Sequence, residues 1–249
     1  MGNLIVLEGM DGSGKSTQTR LLAKYFEKKG MSVKQFHFPT GEGFSGKMIN
    51  DFLQGNFGKA DEVDPYFVAM LYALDRKKMA KTLYDWLEQY DVVLLDRYTL
   101  SNVAYQCAKL PVFESRMALS GWILDLEHGI NHLPSADITL YMGVPLPFIS
   151  KQLSKNRQGE ARAYLEGKED IHEKDIALQR EVNEVYTIFC EDWEDIVFVN
   201  CVDARGKMRS SQEIHQEILG ILREHSIIVE EKINGNQDAK GDPKGKGEA

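Results

Sequence analysis

The chain has 249 residues, 43% of them hydrophobic and 27% charged, with a formal net charge of −8, so it can bury one substantial core and has the composition of an ordinary globular protein. The acidic balance excludes a general binder of nucleic acid or of anionic membrane, both of which require a broad basic surface. Cys107, Cys190 and Cys201 stand far apart without CxxC or Cys/His spacing, which excludes a disulfide framework or a zinc site and predicts buried, reduced thiols.

The first predicted element is the apolar run from Leu4, which enters a glycine loop directly. Gly9 is followed by four residues and then Gly14-Lys15-Ser16, and apolar residues at helical spacing come next, Leu21, Leu22, Tyr25 and Phe26, up to Gly30. Strand, glycine loop and helix are the context of a P-loop, in which converging backbone N–H groups and the positive end of the helix dipole bind phosphate oxygens. Gly9, Gly12, Ser13, Gly14, Lys15, Ser16 and Thr17 are the expected ATP-binding residues. Lys15 is expected to bridge the outer phosphates, and the Ser16 hydroxyl to hold Mg²⁺.

Ser32 to Phe38 reads as a second strand, and Pro39, Gly41 and Gly43 predict an irregular loop before a short helix at Lys47 to Leu53. Asp64-Pro65 is a helix start, and apolar spacing through Phe67, Leu71, Leu74, Leu83 and Leu87 predicts one long helix to about Tyr90. Val92 to Leu95 is a continuous apolar run, the pattern of a parallel strand buried on both faces, and it delivers Asp96-Arg97-Tyr98 at the sheet edge where ligands bind in open α/β folds. Helical segments follow to about His128, with further strands at Asp137 to Val144 and Ile196 to Val202. The alternation predicts an α/β fold, a five-stranded parallel sheet with helices on both faces. Lys155 to Glu173 is densely charged and reads either as a solvated connection or as a mobile basic lid. The stretch from Asn234 carries no large apolar residue and is expected to be a disordered tail. The N-terminal apolar run is too short for a signal peptide, and no later run is long enough to span a bilayer, so a soluble, cytoplasmic protein is expected.

Phosphoryl transfer needs two phosphates held in line and cations over the transferred group. The sequence offers Lys15, Arg97, and the lid residues Arg157 and Arg162; Asp96 is suited to hold Mg²⁺ with Ser16. An Asp-Arg pair at a strand end also forms as a local ion pair only, and a lid arginine can be merely solvated. Tyr72 and Arg76 sit one helical turn apart on one face, so that a ring and a planar donor fork can meet one base.

Leu7-Glu8-Gly9-Met10-Asp11-Gly12-Ser13-Gly14-Lys15-Ser16-Thr17, then Phe38-Pro39, then Asp96-Arg97-Tyr98 with Ser101-Asn102-Val103-Ala104-Tyr105 resembles the thymidylate kinase family from residue 4 to about residue 222. The resemblance implies an ATP:dTMP phosphotransferase using Mg²⁺, a homodimer acting on small nucleotides. It implies one domain over 1–233 with a lid at about 155–173. It further implies that Asp11 bonds the acceptor 3′-hydroxyl, Arg97 clamps the acceptor phosphate, Tyr72 stacks on thymine and Arg76 reaches a base carbonyl. Phe38 would line the acceptor site, Asn102 contact the base, and Tyr105 crowd the sugar 2′ position. Two departures stand out. Thr40-Gly41-Glu42-Gly43 lacks an arginine that many members use on the acceptor phosphate, with Lys47 the candidate substitute. Gly12 stands where some members carry a catalytic arginine, which shifts weight to Arg157 and Arg162. A kinase of another nucleotide or of a deoxynucleoside, and a nucleotide-binding switch, are the alternative readings.

Overall fold

Five apolar runs form five parallel strands, β1 (Asn3–Glu8), β2 (Val33–His37), β3 (Val92–Asp96), β4 (Ile138–Gly143) and β5 (Ile196–Asn200), in the order β2-β3-β1-β4-β5. This computed structural model describes residues 1–149 and 170–228. Every residue of β3 and β4 is buried, as the unbroken apolar runs require of strands covered on both faces. The register pairs Leu7 with Asp96, His37 with Asp96 and Glu8 with Tyr141, so the polar ends of β1, β2 and β3 emerge together at one carboxyl edge. The strand order reverses beside β1, which makes that edge the topological place for a ligand.

Alternation along β1 sorts the core. Ile5 and Leu7 face a large cluster with Leu22 and Phe26 of α1 (Lys15–Lys28), Val103 of α5 (Thr99–Cys107), Ile123 of α6 (Phe113–Leu124), and residues of α7 (Ile176–Asp192) and α8 (Ser211–Glu224). Leu4 and Val6 face the opposite side, with Phe38, Val93, Leu95 and the Leu83 and Leu87 pair of α4 (Ala80–Gln89). A smaller cluster joins α2 (Gly43–Leu53) to α3 (Pro65–Lys77) through Ile49, Phe52, Val68 and Leu71. Among the described residues no helix is long and apolar enough to cross a membrane.

Three sequence expectations are corrected. First, α2 starts at Gly43 rather than Lys47. Second, the single long helix is two: the Asp64 carboxylate caps α3 by accepting from the Phe67 N–H at 3.0 Å, and the Met79 N–H turns back to the Arg76 carbonyl at 2.9 Å, ending it. The apolar positions change phase there, because Leu74 and Leu83 are nine residues or about two and a half turns apart and so lie on opposite faces of a straight helix. Leu74 is 48% exposed and Leu83 fully buried; breaking the helix lets α4 reach the other face of the sheet. Third, the charged segment is not solvated to its end. Residues 155–169 of the predicted lid, with Arg157 and Arg162, lie outside the described residues, as does the tail from 234. Asp170 and His172, however, are 7% and 5% exposed, with the His172 ring held by Phe52 and Tyr105.

Candidate active site

The loop between β1 and α1 is built on glycine backbone freedom. Gly9 and Gly14 have φ of 141° and 96°, which side chains rarely adopt, and a Cβ on Gly9 would stand 2.9 Å from Ser13 Oγ and 3.1 Å from the Met142 carbonyl. Gly14 is the N-cap of α1 and supplies no side-chain cap, which leaves the first N–H groups of the helix available to an anion. Lys15 is 6% exposed and donates to the Gly9 carbonyl at 2.9 Å and the Met10 carbonyl at 3.0 Å. Burial, helped by Arg97, lowers its ammonium pKa, so the charge sits folded across the loop it would serve.

Ser16 Oγ donates to Asp96 Oδ2 at 2.8 Å, while Asp96 Oδ1 is buried with no hydrogen-bond partner among the described residues. Burial opposes ionisation of Asp96, but His37, whose Nδ1 stands 3.8 Å from Oδ1, and the charges of Lys15 and Arg97 outweigh it and bring its pKa down to about 2. An ionised carboxylate with one free oxygen beside a serine hydroxyl is a hard-oxygen pair of the kind Mg²⁺ accepts. Arg97 follows at the strand end with φ of 71°, a left-handed conformation unusual outside glycine. Its guanidinium donates to Asp11 Oδ1 at 2.8 Å and Ser101 Oγ at 3.0 Å and lies 5.3 Å from the Tyr105 ring centroid. Enclosure by the loop resists the Asp11 charge, and Arg97 with Lys15 overcomes that and holds the carboxyl well below the usual range.

Glu8 explains why Arg97 is held there, and the sequence reading gave it no role. Fully buried at the end of β1, its carboxylate accepts from the Tyr98 N–H at 2.7 Å, the Ser101 N–H at 3.1 Å and the Tyr186 hydroxyl at 2.9 Å. It thereby anchors the start of α5 against the loop. The available signal was a carboxylate closing an otherwise apolar strand.

A buried polar cluster lies between α3 and α5. Arg76 is 2% exposed, and its Nε donates to both oxygens of Glu127 at 3.0 Å, with Nη2 on the same carboxylate. Asn102 Nδ2 also donates to Glu127, at 2.9 Å, and to the Ala69 carbonyl at 3.0 Å. This leaves Asn102 Oδ1 and both amide atoms of Gln106 buried without partners among the described residues. Tyr72 lies within electrostatic reach of Arg76, Arg97 and Tyr105, and burial pushes its phenol up. Phe38 is 1% exposed with its ring 6.0 Å from the Arg76 guanidinium carbon. Since Glu127 is fully buried, Glu127→Ala strands an unpaired guanidinium; a loss of about 3–5 kcal/mol is expected in urea unfolding, and a loss below roughly 1 kcal/mol would contradict that pairing.

The structure therefore gathers Asp11, Lys15, Ser16, Asp96, Arg97 and Tyr105 at one edge and Tyr72, Arg76 and Asn102 beside it. Gln106 was missed, although it stands four residues after Asn102 on the same helical face. Lys47 does not reach the loop after Pro39, because its Nζ pairs with Asp51 at 2.7 Å in a side chain 75% exposed. Asp75 organises that loop instead, accepting from the Thr40 N–H and hydroxyl at 2.7 and 2.8 Å and from Lys78 Nζ at 2.8 Å.

Residues 7–218 match the model of a family described as thymidylate kinase. Among proteins similar in sequence, a probable thymidylate kinase of Thermococcus gammatolerans is 31% identical over 232 residues, covering 91% of this chain and 99% of that one. A thymidylate kinase of Mycobacterium tuberculosis is 34% identical over 186 residues, covering 74% and 83%. In structure, the chain is similar to the thymidylate kinase of Candida albicans, with a TM-score of 0.69 at 22% identity over 91% of this chain and 93% of that one, which bears on the fold.

Proposed function

This chain belongs to the thymidylate kinase family, and from that premise we propose that it transfers the γ-phosphoryl group of ATP to dTMP, giving dTDP and ADP. The observation that carries the reading is the single sheet edge at which a phosphate-binding loop and a buried polar cluster, with amides unpartnered among the described residues, meet through the Asp11–Arg97 pair.

ATP phosphates occupy the loop, where Lys15 exchanges the carbonyls of Gly9 and Met10 for phosphate oxygens. Ser16 and Asp96 would hold Mg²⁺, whose charge neutralises the outer phosphates when bound. Arg97 takes the dTMP phosphate in a fork geometry and releases Asp11 toward the 3′-hydroxyl. Tyr105 closes on the sugar. Tyr72 stacks on thymine, with Phe38 behind. Asn102 Oδ1 and the Gln106 amide meet the donors and acceptors of the base edge, and Arg76, whose Nε and Nη2 are taken by Glu127, contributes Nη1. The transferred group passes in line between the two phosphates, and exclusion of water prevents hydrolysis from competing.

The domain proposed over 1–233 includes a lid at 155–173 that brings Arg157 and Arg162 over the transferred group. Arg157→Ala is expected to lower kcat about 10²-fold or more with a smaller change in KM. An unchanged kcat would move the role to Arg162. A homodimer is proposed as well, supported by exposed Phe67, Met70 and Leu74 of α3 and Phe113, Met117 and Trp122 of α6, adjacent helices joined by the Tyr66–Trp122 contact. Sedimentation at the dimer mass is expected, and a monomer at micromolar concentration would refute it. A cytoplasmic location is part of the proposal, supported by three free cysteines. The reaction is tested by comparing ADP formation with dTMP, dUMP, thymidine and dGMP: dTMP should have the highest kcat/KM, and faster turnover of thymidine would remove this reading.

A further inference from the structure

The face of α5 that carries Asn102, Tyr105 and Gln106 continues one turn further to Lys109, at the i, i+3, i+4 and i+7 positions. Lys109 lies in the turn after α5, where its N–H bonds the Gln106 carbonyl at 3.2 Å. Its Nζ is buried with no hydrogen-bond partner among the described residues and stands 4.7 Å from the Phe52 ring centroid. Phe52 in turn meets His172 edge-on at 5.2 Å, and His172 stacks on Tyr105 at 5.0 Å and 27°. The His172 Nε2 is also buried without a partner among the described residues.

A buried ammonium with no acceptor costs stability, and a lysine stem is long enough to reach water. Burial pushes the Lys109 ammonium down to about 7, with only Asp64 and Asp61 pulling it back, and the neighbouring His172 is held neutral well below its ordinary value by burial and by Lys109. Lys109 and Arg97 both act electrostatically on His172, and the two cations flank one ring cluster, Arg97 5.3 Å from the Tyr105 centroid and Lys109 4.7 Å from that of Phe52, with His172 in contact with both rings. Arg97 belongs to its phosphate end. The other end, formed by Phe52, His172 and Tyr105, presents aromatic rings and a donor-only cation, which suits a carbonyl oxygen on a planar base.

We propose that Lys109, with His172 beside it, is a second polar end of the acceptor pocket and donates to a carbonyl oxygen of the acceptor base, which makes it a specificity-determining residue. The inference rests on the reaction proposed above. It is tested with wild type, Lys109→Met and Lys109→Arg, assayed with dTMP, 2-thio-dTMP and 4-thio-dTMP, because sulfur is a weak acceptor. In wild type, sulfur at the carbonyl that Lys109 reads should raise KM about tenfold. Lys109→Met should raise the KM for dTMP by a similar factor and abolish the sulfur penalty at that position, with the KM for ATP within about twofold. Lys109→Arg should keep most of the affinity. Without ligand, Lys109→Met should melt at or above the wild-type temperature, since it removes an unpaired buried charge, while the rise in Tm produced by dTMP shrinks. An unchanged KM for dTMP, equal sulfur penalties in both proteins, or a lower Tm with parallel losses for ATP and dTMP would overturn the assignment. A wild type that does not turn over dTMP would refute the reaction itself, and this is a different outcome from a wild type that does so alongside an unaffected Lys109→Met.

Discussion

Lys15→Ala is expected to lower the rate of phosphoryl transfer about 10²–10³-fold while leaving the circular dichroism spectrum unchanged. The lysine is 6% exposed and holds the loop by donating to the carbonyls of Gly9 and Met10, so its removal deletes both a tie across the loop and the cation meant for the outer phosphates. Stability should change little, because Gly9, Gly12 and Gly14 already set the loop backbone and a desolvated ammonium is itself unfavourable. The decrease should appear in kcat more than in ATP affinity, since charge on the transferred group grows toward the transition state. A near-normal rate would contradict the assignment of the loop.

Arg97→Ala should raise the KM for dTMP by about 100-fold and leave ATP binding within about twofold. Arg97 is 8% exposed and is the group through which the loop residue Asp11 and the α5 residues Ser101 and Tyr105 communicate. Loss of a charge-assisted, bidentate contact to phosphate costs several kcal/mol where water is excluded. Lysine cannot restore the fork, so Arg97→Lys should recover only a small part of the affinity. Asp11, released from its partner, should titrate closer to an ordinary carboxylate, a change NMR can follow. A selective loss of ATP affinity would contradict the acceptor role.

The fold was legible wherever a local constraint decides structure. Leu4 to Leu7 and Val92 to Leu95 carry the continuous apolar pattern of buried strands. Gly14-Lys15-Ser16 after such a strand is the pattern of a helix opened toward an anion, and Asp96 and Arg97 were singled out by standing at a strand's carboxyl end. The break between α3 and α4 was not legible, because the apolar stripe was read as one phase when Leu74 and Leu83 belong to opposite faces. Within the site, the chain signals residue type but not long-range pairing. Nothing near Arg76 announces Glu127, 51 positions away, and the burial of His172 depends on Phe52 and Tyr105, which come from two other helices. Glu8 and Gln106 carried signals that pattern reading passes over: a charge at the end of an apolar run, and a second amide one turn from the first.

The destination of the γ-phosphoryl group distinguishes a kinase from a hydrolase most directly. Following ATP, dTMP and Mg²⁺ with the purified protein by ³¹P NMR should show ADP and dTDP accumulating in equal amounts, with negligible inorganic phosphate. Formation of ADP with inorganic phosphate while dTMP persists unchanged would contradict it.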